Sequence, residues 1–281
     1  MRVNFLCILM KKIASIGIIA LTVLLLISLS FAADAKLDIH FLSVGQGDAI
    51  LLRTPIYGHN ILIDGGPDDS VLSQLGKILP YSGRQIDLIV LTHPHADHLI
   101  GAIKVLENYE VKSVLITGAF TKDSSYEYFL KLLRQKKIPV IIAKSSSDIK
   151  VGSIILDIIF PQENLSLQEL SNSNNGSIAI RIKYNNQSIL LTGDSEIEEE
   201  KAILIAGQTV QSNIYKAAHH GSKTGIYYPF MRSVNPQKVI IQSGAGNKFD
   251  HPHKEALKAF ESLKSQILRN DISGTIDLSI P

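Results

Sequence analysis

Three histidines and an aspartate crowd into one short string, Thr92-His93-Pro94-His95-Ala96-Asp97-His98, in a chain of 281 residues that holds nine histidines. Imidazoles and carboxylates are common ligands of divalent cations, so this spacing reads as a metal centre rather than as scattered solvated rings. Pro94 keeps the start of the string extended. Side chains two apart then share a face, so His93 and His95 can meet one cation while Asp97 and His98, one turn on, meet a second. The competing reading is that Asp97 merely caps the next helix.

Two further sites supply what the string lacks. Asp194 ends the apolar run Ile189-Leu190-Leu191-Thr192-Gly193, where a carboxylate can bridge two cations. It can instead compete with Ser195 as a helix cap, and Ser195 with Glu198 has the form of a capping box. His219 and His220 end a second β-like run, Ile214 to Ala218, ahead of Gly221 and Ser222. They offer a last metal ligand and a second imidazole for proton transfer or phosphate contact.

Strands and helices must position these groups. Leu37 to Ser43, Ala49 to Arg53 and Ile61 to Ile63 are short β-favouring runs with short spacers, the pattern of antiparallel hairpins. A helix over Ser70 to Leu79 then leads to the strand Ile86 to Leu91, and a helix near Leu99 to Asn108 leads to Ser113 to Ile116. The histidine string thus occupies a loop at a strand's C-terminal end, where α/β sites collect. Hairpins followed by β-α alternation occur again after Ile154, which predicts two stacked mixed sheets with helices outside. The polar stretch Asn164 to Asn175 joins the halves.

Composition excludes other classes. The chain has 45% hydrophobic residues, one cysteine, no tryptophan, and 28 Lys plus Arg against 26 Asp plus Glu. It is therefore not a disordered chain, a disulfide scaffold or a multi-pass membrane protein. Residues 1–32 hold Arg2, Lys11, Lys12, Cys7 and no acid, and the apolar run Ile13 to Ala33 ends in small residues. This segment reads as a secretory signal peptide, with an uncleaved membrane anchor as the alternative. Residues 33–281 form the body of the chain, a single domain, with a formal charge near zero that excludes a globally cationic nucleic-acid binder. The expected location is secreted or periplasmic, with membrane attachment only if the leader is retained.

The string T-H-P-H-A-D-H resembles the signature of the metallo-β-lactamase superfamily. Val44-Gly45-Gln46-Gly47-Asp48-Ala49, Leu62-Ile63-Asp64-Gly65-Gly66, Leu190 to Asp194, Lys216 to Ser222 and Ser243 to Asn247 followed by His251-Pro252 are similar, in order, to the hydrolase domain of ComEC-type competence proteins. That resemblance implies a four-layer αββα sandwich. It also implies two divalent metal ions, zinc or manganese, held by His93, His95, Asp97, His98, Asp194 and His219. Lactamases and glyoxalases carry another histidine before the strand leading to Asp194; here the stretch is Asn174-Asn175-Gly176-Ser177. Water or the Asn175 oxygen would fill the gap, preference would move toward manganese, and one site would bind weakly.

Asp64 is expected to orient a ligand histidine through its other ring nitrogen, and Asp48 to do the same or line the pocket. Lys216, Ser222, Asn247 and His251 are candidates for holding substrate phosphate, and His220 or His251 for protonating the departing oxygen, with Asp97 at the same reaction centre. The expected activity is a metal-dependent phosphodiesterase acting on extracellular DNA. The alternatives are hydrolysis of another exported substrate, such as a phosphorylated cell-wall component, a lactone or a β-lactam, and a non-catalytic DNA-binding relative. A local basic face is available in Lys216, Lys223, Arg232, Lys248 and Lys254, no aromatic stacking platform is evident, and no protein partner is implied.

Overall fold

Apolar residues at nearly every position of a short strand require cover on both faces. β2 (Ile50–Arg53), β3 (Asn60–Ile63) and β5 (Leu88–Val90) have that character. In the computed structural model, which describes residues 15–24, 36–55, 58–79 and 84–281, alternate residues of these strands face opposite ways. Ile50, Leu52, Ile61, Ile63, Leu88 and Val90 enter a central core with Ile158, Ile180, Ile182, Ile189 and Leu191. The intervening Leu51, Leu62 and Ile89 pack outward beneath α1 (Ser70–Ile78), α2 (Ala96–Asn108) and α3 (Ser124–Gln135).

β1 (Leu37–Phe41) and these strands join β7 (Val114–Ile116), β8 (Val140–Ile142) and the C-terminal β16 (Ile276–Ile280) in one seven-stranded sheet of order β16-β1-β2-β3-β5-β7-β8. The second has the order β15-β14-β13-β12-β11-β10-β9. Its members are β9 (Ile149–Val151), β10 (Ile154–Phe160), β11 (Ala179–Tyr184), β12 (Gln187–Leu191), β13 (Ile214–Lys216), β14 (Lys238–Ile241) and β15 (Gln266–Arg269). A small pair, β4 (Gln85–Ile86) with β6 (Glu110–Val111), stands apart. The outer face of the second sheet, with Leu190, Tyr215 and Val239, is covered by α4 (Ile197–Ile205), α5 (Tyr228–Val234) and α6 (Lys254–Ser262) through Ile203, Phe230 and Phe260. Each fully buried Ile, Leu or Phe of this kind contributes about 1.5–3 kcal/mol. The layers are αββα, as the doubled pattern predicts.

Both sheets run antiparallel first and parallel afterwards: β3, β5, β7 and β8 are parallel, and so are β12, β13, β14 and β15. Their C-terminal ends supply the loops that matter below.

Two local expectations are corrected. α2 begins at Ala96 rather than near Leu99, so Asp97 and His98 lie in its first turn, where a carboxylate faces the positive end of the helix dipole. The expected capping box is absent: the N-cap of α4 is Glu196, and Asn175 Oδ1 accepts from the backbone N–H of Glu196 and Glu199 at 3.1 and 3.4 Å. The leader falls largely outside the described residues. Residues 15–24 are helical and form part of a separate unit. Among the described residues no helix is long and apolar enough to cross a membrane.

Candidate metal centre

β5 delivers His93, and the N-cap and first turn of α2 deliver His95, Asp97 and His98. The loop after β12 delivers Asp194, and the turn after β13 delivers His219 and His220. That turn is unusual: His219, His220 and Gly221 have successive φ values of 47°, 56° and 80°. Two consecutive left-handed L residues cost roughly 1–2 kcal/mol each, and such strain concentrates at functional sites.

Asp194 Oδ2 is the focus. The Nε2 atoms of His98 and His220 each lie 3.2 Å from it, and those of His219 and His93 lie at 3.8 and 3.9 Å. His220 Nε2 is also 3.3 Å from Asp97 Oδ2. Buried Nε2 atoms of His93, His98 and His220 make no hydrogen bond. Most buried polar groups in folded proteins are hydrogen-bonded, and three such nitrogens gathered around one carboxylate fit a cation. Asp97, His98, Asp194 and His220 have ligand atoms within 4.8 Å of one another and could hold one ion; the His93 ring, 4.2 Å from that of His98 and 4.6 Å from that of His95, extends the donor set.

The opposite ring nitrogens are fixed from behind. His98 Nδ1 donates to Asp64 Oδ2 at 2.8 Å, and His220 Nδ1 donates to the Gln242 carbonyl at 3.0 Å with Asp48 Oδ1 3.2 Å away. His93 Nδ1 meets Thr92 Oγ1 at 3.1 Å, and that hydroxyl donates to Asp64. Each Nε2 is thereby left as the inward-facing atom. The glycine-rich loops serve close approach: a Cβ on Gly47 would stand 2.2 Å from the Asp97 carbonyl, and one on Gly65 would stand 2.0 Å from the Ala102 nitrogen. Asp48 and Asp64 reach the centre because those backbones touch α2.

Burial disfavours charge on His98, but Asp194, Asp64 and Asp97 outweigh it and hold its pKa well above the usual value without metal. His220 behaves alike under Asp194 and Asp48. In return, and against the burial penalty, His220 and His98 hold Asp194 well below the carboxylate range. Burial and the charge of His98 push His93 far down, so that ring is neutral.

Five expectations need correction. His220, not His219, joins Asp97, His98 and Asp194 in the close ligand group; His219 Nδ1 lies against Thr224 Oγ1 at 3.1 Å and Glu196 Oε1 at 3.2 Å, and its Nε2 stays 3.8 Å from Asp194 Oδ2. Lys216 is 0% exposed and cannot reach substrate. Its Nζ pairs with Asp48, donates to the Gly193 carbonyl at 3.1 Å and lies 3.7 Å from Asp194 Oδ1. Ser222 is buried, and its Oγ accepts from the Thr224 backbone N–H at 3.3 Å. Asn247 spends both ends of its amide on its own loop. The Asn175 oxygen, engaged with α4, is not free to fill a ligand gap; the group beside His95 Nε2 is Ser173 Oγ at 2.5 Å.

His251 lies beside the cluster, its ring centroid 5.6 Å from His219 and 6.2 Å from His220, with Gln46 Nε2 3.4 Å from its Nδ1. Burial, then the neighbouring imidazoles, push its pKa down to about 4. Sequence reasoning missed Ser173, Gln242 and Glu196; the last accepts from Asn172, Asn174 and Thr224 and braces His219. Only the position of Glu196, two residues beyond Asp194, hinted at it.

Two stacked mixed sheets with an imidazole and carboxylate cluster at their strand ends define a hydrolase class built around divalent cations. The profile of the metallo-beta-lactamase superfamily matches residues 42–265, and the chain belongs to that superfamily. It is similar to ComE operon protein 3 of Bacillus subtilis (strain 168), 25% identical over 276 residues that cover 92% of this chain and 35% of that protein. Recombination protein 2 of Haemophilus influenzae is 27% identical over 269 residues, 93% of this chain and 31% of its own length. The chain thus spans about a third of the curated relatives it matches. Among solved structures, the metallo-beta-lactamase fold protein YhfI from Bacillus subtilis superposes with a TM-score of 0.59 at 13% identity, covering 88% of this chain and 100% of that one.

Proposed function

We propose that this protein is an exported, metal-dependent phosphodiesterase that cleaves DNA. The carrying observation is the set of buried, hydrogen-bond-free Nε2 atoms of His93, His98 and His220 around Asp194 Oδ2. His93, His95 and Asp194 would hold one cation, and Asp97, His98, His220 and Asp194 the other. Bound there, divalent cations neutralise charge on phosphoryl oxygens and lower the pKa of a water to about 7. Two carboxylates beside four imidazoles, with no further histidine at Asn174-Asn175-Gly176-Ser177, shift the donor set toward manganese relative to the histidine-richer lactamase pattern.

His251 is neutral near pH 7, and an approaching phosphate raises its proton affinity again, which suits it to hydrogen-bond the departing oxygen. DNA as substrate draws support from the relative named Recombination protein 2 and from exposed Lys223, Lys248 and Lys254 on the segments that carry His219, His251 and His253. Residues 1–32 would direct export; N-terminal sequencing of extracellular protein should begin at Ala33 or Lys36, and recovery of the full chain in the membrane fraction would favour the anchor.

The test is hydrolysis of single- and double-stranded DNA and of bis-p-nitrophenyl phosphate by purified protein with added manganese or zinc, beside a metal analysis. Turnover that chelation abolishes and manganese restores is expected. A fully metal-loaded protein without phosphodiesterase activity would refute the reading.

A further inference from the structure

The loop between β14 and α6, Gly244 to His251, is tied together by the side chain of Asn247. Asn247 Oδ1 accepts from the backbone N–H of Phe249 and of His251, each at 3.1 Å. Its Nδ2 donates to the carbonyls of Gly244 at 2.9 Å and His251 at 2.6 Å. The backbone on both sides of Phe249 is therefore fixed, yet the side chain is 48% exposed. A pinned loop that leaves about half of a phenyl side chain in water forgoes roughly half of the 1.5–3 kcal/mol that full burial contributes.

The ring's position gives that exposure a use. Phe249 lies nearly parallel to His251, with centroids 5.7 Å apart and planes 26° apart. His251 in turn lies 6.2 Å from His220 of the metal cluster. Ring contacts thus run from exposed Phe249 through His251 to His220 of the cluster. Lys248 Nζ stands 5.0 Å from the Phe249 centroid, and exposed Lys223 and Lys254 flank His253, whose ring touches that of His251. Exposed Asp250 and Glu255 lie in the same segment, so charge alone does not make this a polyanion groove.

An exposed aromatic with modest local charge recognises a π-face. Bases in a duplex present no free face, whereas unpaired bases stack on aromatic side chains irrespective of sequence. We propose that Phe249 is a stacking platform for an unpaired nucleobase next to the scissile phosphodiester, so that the substrate is single-stranded polynucleotide or a frayed end. The proposal rests on the phosphodiesterase reading for its substrate class.

The chain contains no tryptophan, so Phe249→Trp creates a unique fluorescent reporter. It is titrated with ten-residue oligothymidylate and with an abasic backbone of the same length, in chelator and again in calcium. Quenching by oligothymidylate and not by the abasic strand is expected. In parallel, Phe249→Ala and Phe249→Leu should each weaken oligothymidylate binding about tenfold or more, the cost of one lost base contact, while Phe249→Tyr retains it. Equal quenching by both strands, absence of quenching, or full rescue by Leu would overturn the platform. Because binding is read without turnover, quenching in a protein that cleaves no DNA would sink the phosphodiesterase reading alone, and cleavage without quenching would sink the platform alone.

Discussion

Lys216→Met keeps most of the side chain's length and removes a cation that no solvent reaches. In the wild type, Nζ lies 3.7 Å from Asp194 Oδ1 and pairs with Asp48, both carboxylates being fully buried. At an effective dielectric of 20 a pair at that distance is worth about 4.5 kcal/mol. Breaking a buried pair by deleting one partner costs a similar 3–5 kcal/mol, because the remaining charge stays buried. For a body of this size each kcal/mol moves Tm by about 2–4 °C, so metal-free Lys216→Met should melt roughly 6–20 °C below wild type. A divalent cation supplies the positive charge that Asp194 has lost, so saturating manganese should narrow the gap. Thermal melts of both proteins in chelator and in manganese measure both effects. A variant that melts within about 3 °C of wild type in chelator, or a gap that manganese leaves unchanged, would refute the counter-charge role. If Lys216 touched substrate instead, the substitution would raise KM and leave Tm alone.

Asp194→Asn removes the charge at the focus of the cluster while retaining its volume, so metal content and turnover should both collapse with the fold intact. Asp157→Asn, on β10 away from the centre, is the control; Asp194→Asn with wild-type metal content would defeat the bridging role, and a capping explanation is closed because the N-cap of α4 is Glu196 and Asn175 Oδ1, not Asp194, accepts from its first N–H groups. His98 and His220 are held protonated in the metal-free site, and a ligating imidazole must be neutral, so cation binding near pH 7 should release roughly two protons. Calorimetry in buffers of different ionisation enthalpy reads that number, which should fall toward zero as pH rises through the raised values; no release at pH 7 would contradict the assignment. Burial raises Glu200 well above the carboxylate range, so the folded state holds its proton longer than the unfolded one and stability falls as pH rises from about 4.5 through the folded value. Glu200→Gln, whose amide oxygen can still accept from the Tyr227 N–H, should flatten that limb in denaturant melts, and parallel pH slopes would count against it.

Local spacing by itself determined the layers and singled out most of the residues that gather at the candidate centre. Alternation in Ile50 to Leu52 and Ile61 to Ile63 assigns each side chain to a face whatever the rest of the chain does, because the strand period is two. The crowding of His93, His95, Asp97 and His98, and a carboxylate closing the run at Asp194, are equally local. Packing settled the remainder. His219 and His220 are neighbours of identical type, and only a left-handed turn pressed between the two sheets decides which imidazole faces inward. Lys216 sits on a three-residue strand too short to show its environment; cover by Asp48 from the other sheet turns an expected phosphate ligand into a buried counter-charge. Asn175 and Asn247 are polar loop residues whose hydrogen bonds run to backbone brought close only in the folded chain. Phe249 is one aromatic among many in sequence, and it gains meaning from the ring beside it. Periodicity fixes which way a side chain leaves its own strand, whereas burial, charge pairing and the closing of a metal site depend on groups from distant segments, and those meet only when the sheets stack.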